Sequence, residues 1–111
     1  PPKPPPPEPK EPDKPVFVRR KVVEKLKLSG EMPRYVRAAK MARVEGIIIV
    51  KLCLDTAGRV DRARTKILKG IPVLNDEVMS KVTTWRYKPY TVDGKPTRVC
   101  FPVKFVFKFR N

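Results

Sequence analysis

The sequence predicts an α+β fold: a three-stranded antiparallel sheet in the strand order 2-1-3, with two helices packed on one face. Three observations predict it. Gly46 to Leu54, Gly-Ile-Ile-Ile-Val-Lys-Leu-Cys-Leu, is the longest β-branched run in the chain. Read with period two, it turns Ile48, Val50, Leu52 and Leu54 to one face and Ile47, Ile49, Lys51 and Cys53 to the other. Thr97 to Phe109 alternates as clearly, with Val99, Phe101, Val103, Phe105, Phe107 and Phe109 opposite Cys100, Pro102, Lys104, Val106 and Lys108. Between them Leu74, Val78, Val82 and Trp85 recur at helical spacing and form one apolar stripe. The purely apolar face of the central strand carries four aliphatic side chains, each worth about 1.5 to 3 kcal/mol when buried. That face needs helices over it, and the other can stay partly wet.

The elements follow in order. Pro1 to Pro15 holds nine prolines, which favour an extended polyproline II spacer of on the order of 45 Å with no packed core; an ordinary interdomain linker and an SH3-type ligand share this composition. A first residue inside a proline tract leads to the expectation that the chain is cut from a longer one. Val16 to Leu28 has a period ambiguous between strand and helix and is read as an extended lead-in, so the domains are residues 1–15, 16–30 and 31–111. Pro33 opens a short helix from Arg34 to Arg43, where Ala38, Ala39 and Ala42 permit close approach to the sheet. After the central strand, Asp55-Thr56-Ala57-Gly58 breaks the pattern, and Arg59 to Leu68 resumes a weaker alternation through Val60, Ala63 and Ile67, which predicts a hairpin. Lys69 to Pro72 reads as a loop. Asn75 is the expected N-cap of the second helix, with Asp76 and Glu77 where the helix dipole favours negative charge. Pro89 prevents re-entry into a helix, and Val92-Asp93-Gly94-Lys95-Pro96 turns the chain into the last long strand.

Composition narrows function. The chain has 111 residues, 26 Lys and Arg against 11 Asp and Glu, a net charge of +15 and no histidine. Roughly ninety residues remain for a core, which leaves no room for a large buried active site. The charge points to an anionic polymer, nucleic acid or acidic peptide, or simply to a solvated basic surface; the cations are scattered along every segment instead of gathered in a patch. Without histidine the usual general base and commonest metal ligand are missing, and Ser29 and Ser80, the only serines, sit in no nucleophile motif. Cys53 and Cys100 have no C-x-x-C partner. The expectation is a non-enzyme with no metal and no cofactor. No targeting signal and no apolar stretch of membrane-spanning length is present.

The order helix, hairpin, helix, strand, carried by particular residues, resembles the C-terminal domain of the TonB family of energy-transducing envelope proteins. Those residues are Pro33-Arg34-Tyr35, Arg43-Val44-Glu45-Gly46, Asp55-Thr56-Ala57-Gly58-Arg59-Val60, Trp85-Arg86-Tyr87-Lys88-Pro89, Asp93-Gly94-Lys95-Pro96 and Val103-Lys104-Phe105. Val36 departs from the pattern, which usually carries a proline after the tyrosine. The resemblance implies an upstream inner-membrane helix, a proline-rich stretch across the periplasm, and a terminal domain that grips an outer-membrane protein, such as a TonB-dependent transporter. It thus implies a periplasmic domain of an inner-membrane-anchored adaptor coupled to a proton-driven motor. TonB-like domains of other trans-envelope machines, in gliding motility or secretion, are the alternative. A nucleic-acid or anionic-polymer binder ranks behind both, because no base-stacking aromatic cluster or groove-entering helix is evident.

The strand order 2-1-3 makes the last strand an edge, able to take an extended partner peptide by strand addition. The expected contact residues are Met32, Pro33 and Tyr35 with Val99, Cys100, Phe101, Pro102, Val103, Lys104, Phe105, Val106 and Phe107. Phe101, Phe105 and Phe107 belong to the core, so the peptide would read the backbone and the outward side chains. Trp85 and Tyr87 are expected to be structural. Parity puts Cys53 and Cys100 on the same face of neighbouring strands. An oxidising periplasm would favour a bridge there, but few of the available registers suit one, so two free thiols are the expectation and a disulfide the alternative.

Overall fold

The computed structural model describes residues 14–109; apart from Lys14 and Pro15, the tract read as a linker lies outside the described residues. The elements are β1 (Val16–Phe17), α1 (Arg20–Glu24), β2 (Lys27–Ser29), α2 (Arg37–Met41), β3 (Gly46–Leu54), β4 (Lys66–Lys69), α3 (Pro72–Val82), β5 (Arg86–Tyr87), β6 (Thr91–Val92), β7 (Lys95–Pro96) and β8 (Val99–Phe107).

β3 and β8 are antiparallel along their whole length, from Gly46 opposite Phe107 to Leu54 opposite Val99. The period-two reading of both strands holds: Ile48, Val50, Leu52 and Leu54 join Val99, Phe101, Val103, Phe105 and Phe107 in one core, with Val23 from α1, Ala39 from α2 and Leu74, Val78 and Val82 from α3. The fold is α+β, but the sheet has four strands in the order β1-β8-β3-β4, not three. The added strand is Val16–Phe17, parallel to β8 with Val16 opposite Val99 and Phe17 opposite Cys100. Two residues are too few to carry a periodicity, so only the long-range pairing makes them a strand.

Other boundaries move for local reasons. The Val16–Leu28 segment holds α1 where extended chain was expected, because Val23 is drawn into the core. α2 starts at Arg37 because Val36 keeps extended dihedrals, φ −61° and ψ 149°. The return strand of the hairpin is confined to Lys66–Lys69: the Asp61 carbonyl accepts from the Arg64 and Thr65 amides and the Asp61 carboxylate from the Ala63 amide, a turn that uses up the pairing groups. α3 begins three residues before Asn75. Ile71 is its N-cap and Pro72 its first residue, where a missing N–H costs nothing. Asn75 reaches back instead, its Oδ1 accepting from the Ile71 amide at 2.8 Å. Asp93 and Gly94, at φ 51° and 78°, turn β6 into β7 as the Asp-Gly pair predicts.

Candidate partner-strand edge

The backbone of Cys53 turns wholly toward the β4 side: its N–H donates to Thr65 Oγ1 at 3.1 Å and its carbonyl accepts from Asp61 N–H at 2.7 Å. Across the strand boundary the Arg98 and Cys100 carbonyls accept from Val16 and Val18 N–H at 2.9 and 3.0 Å. Cys53 and Cys100 are therefore opposite each other without exchanging main-chain bonds. That is the antiparallel pair type in which Cα atoms come closest, here 4.0 Å apart, and the two residues form a disulfide. The expectation of two free thiols is corrected by this register. The bridge is buried, each cysteine 1% exposed.

The same alternation fixes the rest of β8. Counting by twos from Cys100, the backbone groups of Pro102, Lys104 and Val106 point away from β3. Pro102 has no N–H to lose, and this parity is where a strand tolerates proline. β1 covers the edge at Val99 and Cys100; among the described residues no strand pairs with it from Pro102 to Phe107. That stretch offers three outward carbonyls and, from Lys104 and Val106, two outward N–H groups.

Of the expected contact residues, Pro102, Lys104 and Val106 have exposed side chains, while Val99, Phe101, Val103, Phe105 and Phe107 are buried in the core and Cys100 in the bridge. Tyr35 is half-buried. Its hydroxyl donates to the Val44 carbonyl, and its ring meets Phe107 edge-on at 5.5 Å, which ties the α2 lead-in to the end of β8. Met32 is exposed and Pro33 half-buried in that lead-in. A cleft of about 250 Å³, lined by Tyr35, Lys40, Lys108 and Phe109, lies where the free edge ends. Lys40, Lys108 and Phe109 carried no signal as contact residues, because the cleft forms only when α2 meets the end of β8.

Trp85 and Tyr87 brace this sheet from within. Trp85 Nε1 donates to the Glu31 carbonyl at 2.7 Å, its ring meets Phe105 edge-on, and Lys27 Nζ stands 3.4 Å over it. A Cβ on Gly30 would come within 2.3 Å of the indole, so only glycine lets the lead-in lie against Trp85. Tyr87 donates its amide to the Gly58 carbonyl, and a Cβ on Gly58, at φ 83°, would meet the Tyr87 carbonyl at 2.1 Å. Burial pushes the Tyr87 phenol up to about 12, with Arg20 opposing and Glu24 adding smaller effects. Among the described residues no group of His, Cys, Asp or Glu could hold a metal ion.

This is an α+β domain in which, among the described residues, β8 is unpaired on one side from Pro102 to Phe107. Residues 31–109 match the family described as Gram-negative bacterial TonB protein C-terminal, and the chain belongs to that family. It is similar to the Protein TonB of Vibrio cholerae serotype O1, 26% identical over 95 residues that make up 84% of this chain and 35% of that protein. It is also similar to the Protein TonB of Escherichia coli, 35% identical over 69 residues, 62% of this chain and 27% of that protein. The chain thus spans about a third of the length of these curated relatives. The solution structure of the Pseudomonas aeruginosa TonB C-terminal domain superposes with a TM-score of 0.63 at 26% identity, covering 77% of this chain and 86% of that one. The TonB2 protein of Vibrio anguillarum superposes with a TM-score of 0.59 at 25% identity, covering 78% and 82%.

Proposed function

We propose that this domain is a non-enzymatic periplasmic adaptor that couples an inner-membrane, proton-driven motor to an outer-membrane protein by gripping an extended partner peptide. The observation that carries the reading is the open edge of β8 from Pro102 to Phe107. Five outward main-chain groups, each contributing roughly 0.5 to 1.5 kcal/mol net when bonded, total about 2.5 to 7.5 kcal/mol, a grip from about ten millimolar to a few micromolar. The expected edge began at Val99; since β1 pairs at Val99 and Cys100, the partner strand takes the remainder. Membership of the TonB family supports the envelope setting, and the absence of histidine suits a binding role. A transporter and a component of another trans-envelope machine would both use this edge, and cross-linking in envelope extract distinguishes them.

Titration with an extended peptide from an outer-membrane partner tests the reading. The largest amide shifts fall between Val103 and Phe107 and in Met32 to Tyr35; shifts confined to β4 would overturn it. Lys104→Pro removes one outward N–H at the parity where Pro102 is already tolerated, so the variant folds and binds about two- to tenfold more weakly.

A further inference from the structure

The two faces of the sheet are covered unequally. The three helices send Val23, Ala39, Leu74, Val78 and Val82 into the core on one face. On the other, the Asp61–Thr65 turn covers only the disulfide end, where Cys53 Sγ lies 3.5 Å from the Arg64 carbonyl. The rest of that face carries three rows set by the strand register. Lys51 stands between Lys66 and Pro102, Ile49 between Lys69 and Lys104, and Ile47 beside Val106; residues directly opposite share a face. Val106 is 62% exposed, Lys66, Lys69, Pro102 and Lys104 are exposed, and Ile47, Ile49 and Lys51 are partly so. No position in these rows is acidic, and among the described residues none of the four lysines enters an ion pair. Lys51 directly opposite Lys66 is a like-charge pair, which costs free energy in the unbound domain. An aliphatic centre ringed by uncompensated ammonium groups suits a lipid surface: the alkyl stems lie along the apolar floor while the charged heads reach anionic headgroups.

We propose that this half of the sheet docks on an anionic phospholipid bilayer and holds the domain with its sheet flat against the membrane surface. Other occupants fit less well. A second copy of the chain would set four lysines against four. A glycan or a nucleic acid strand would be held by stacking aromatics, whereas these rows are aliphatic; Phe17, an aromatic of the same face, stands at the far end, level with Cys100. An acidic protein would favour the planar fork of arginine for fixed carboxylates, and every cation in these rows is lysine, a point charge suited to mobile headgroups. The main-chain bonds that β8 leaves open lie in the plane of the sheet, so docking of its face leaves that edge accessible.

The test is flotation of the full 111-residue chain with vesicles of phosphatidylethanolamine and phosphatidylglycerol, against vesicles of phosphatidylcholine alone, at physiological ionic strength. The chain floats with the anionic vesicles and not with the neutral ones. Lys66→Gln and Lys104→Gln each lower its partition coefficient about fivefold, and the double variant about 25-fold. The double variant Lys21→Gln, Lys25→Gln removes the same charge from α1, across a helix about 10 Å thick and beyond a Debye length of about 8 Å, and lowers it less than about twofold. Val106→Ser, which removes aliphatic surface without changing charge, lowers it about threefold; Met41→Ser on α2, where the side chain is 73% exposed, leaves it unchanged. All these side chains are exposed, so the variants fold. Absence of flotation with the anionic vesicles, equal losses from the sheet-face and α1 lysine pairs, or undiminished binding of Val106→Ser would each overturn the proposal.

Discussion

Several residues by which this family is recognised act as fasteners between distant segments. Tyr35 hangs on the Val44 carbonyl, Trp85 on Glu31 and against Gly30, and Gly58 on the Tyr87 main chain; each joins segments far apart in sequence. Removing the largest of them leaves a void that its neighbours cannot fill. Trp85→Ala costs about 3 to 5 kcal/mol, read as the shift in urea midpoint; a variant of unchanged stability that merely lost peptide binding would contradict this. Tyr87 adds a pH-dependent term. Its phenol ionises near 12 when folded, against an ordinary 10, so its contribution to stability is complete below pH 10 and is lost as the pH rises through 12. Denaturant midpoints measured between pH 9 and 12 fall for the native chain and fall less for Tyr87→Phe.

Among the elements, the pairing of β3 and β8 governs the rest. Its parity sends Pro102, Lys104 and Val106 outward and brings Cys53 against Cys100. The bridge spans 47 residues of sequence, so on chain-entropy grounds it stabilises the fold by about 4 kcal/mol. Intact mass under non-reducing conditions is two units below the reduced mass, since a disulfide lacks two hydrogens. The Cys53→Ser, Cys100→Ser double variant unfolds at correspondingly lower urea; two alkylatable thiols in the oxidised protein would refute the bridge. Because β1 pairs with β8 beside Cys100, the disulfide clamps β8 to β3 at the point where the preceding chain attaches.

Over the whole molecule, charge opposes compactness. A net +15 on 111 residues, with few ion pairs among the described residues, produces self-repulsion that salt screens. Raising ionic strength from 20 to 200 mM increases Tm by a few degrees; a falling Tm would mean that attractive pairs dominate.

The alternation in Gly46–Leu54 and Val99–Phe107 was readable because a strand buried on one face must repeat every two residues, and the stripe Leu74, Val78, Val82 because a helix must repeat near 3.6, although Trp85, read as its fourth member, lies past the end of α3 at Val82 and reaches the core from the following segment. These patterns determined the class of fold, the core face and the three side chains that the last strand exposes. The Asp-Gly turn was legible because its backbone needs positive φ. The rest was decided by contacts between distant segments. β1 is a strand only because β8 offers it an edge, α1 is a helix only because Val23 finds the core, and the return strand is short because Asp61 and Thr65 bond locally and to Cys53. The disulfide belongs with these. Parity placed both cysteines on one face, but register decided that they stand opposite each other, since a slip of two residues preserves every face while moving the sulfurs about 7 Å apart.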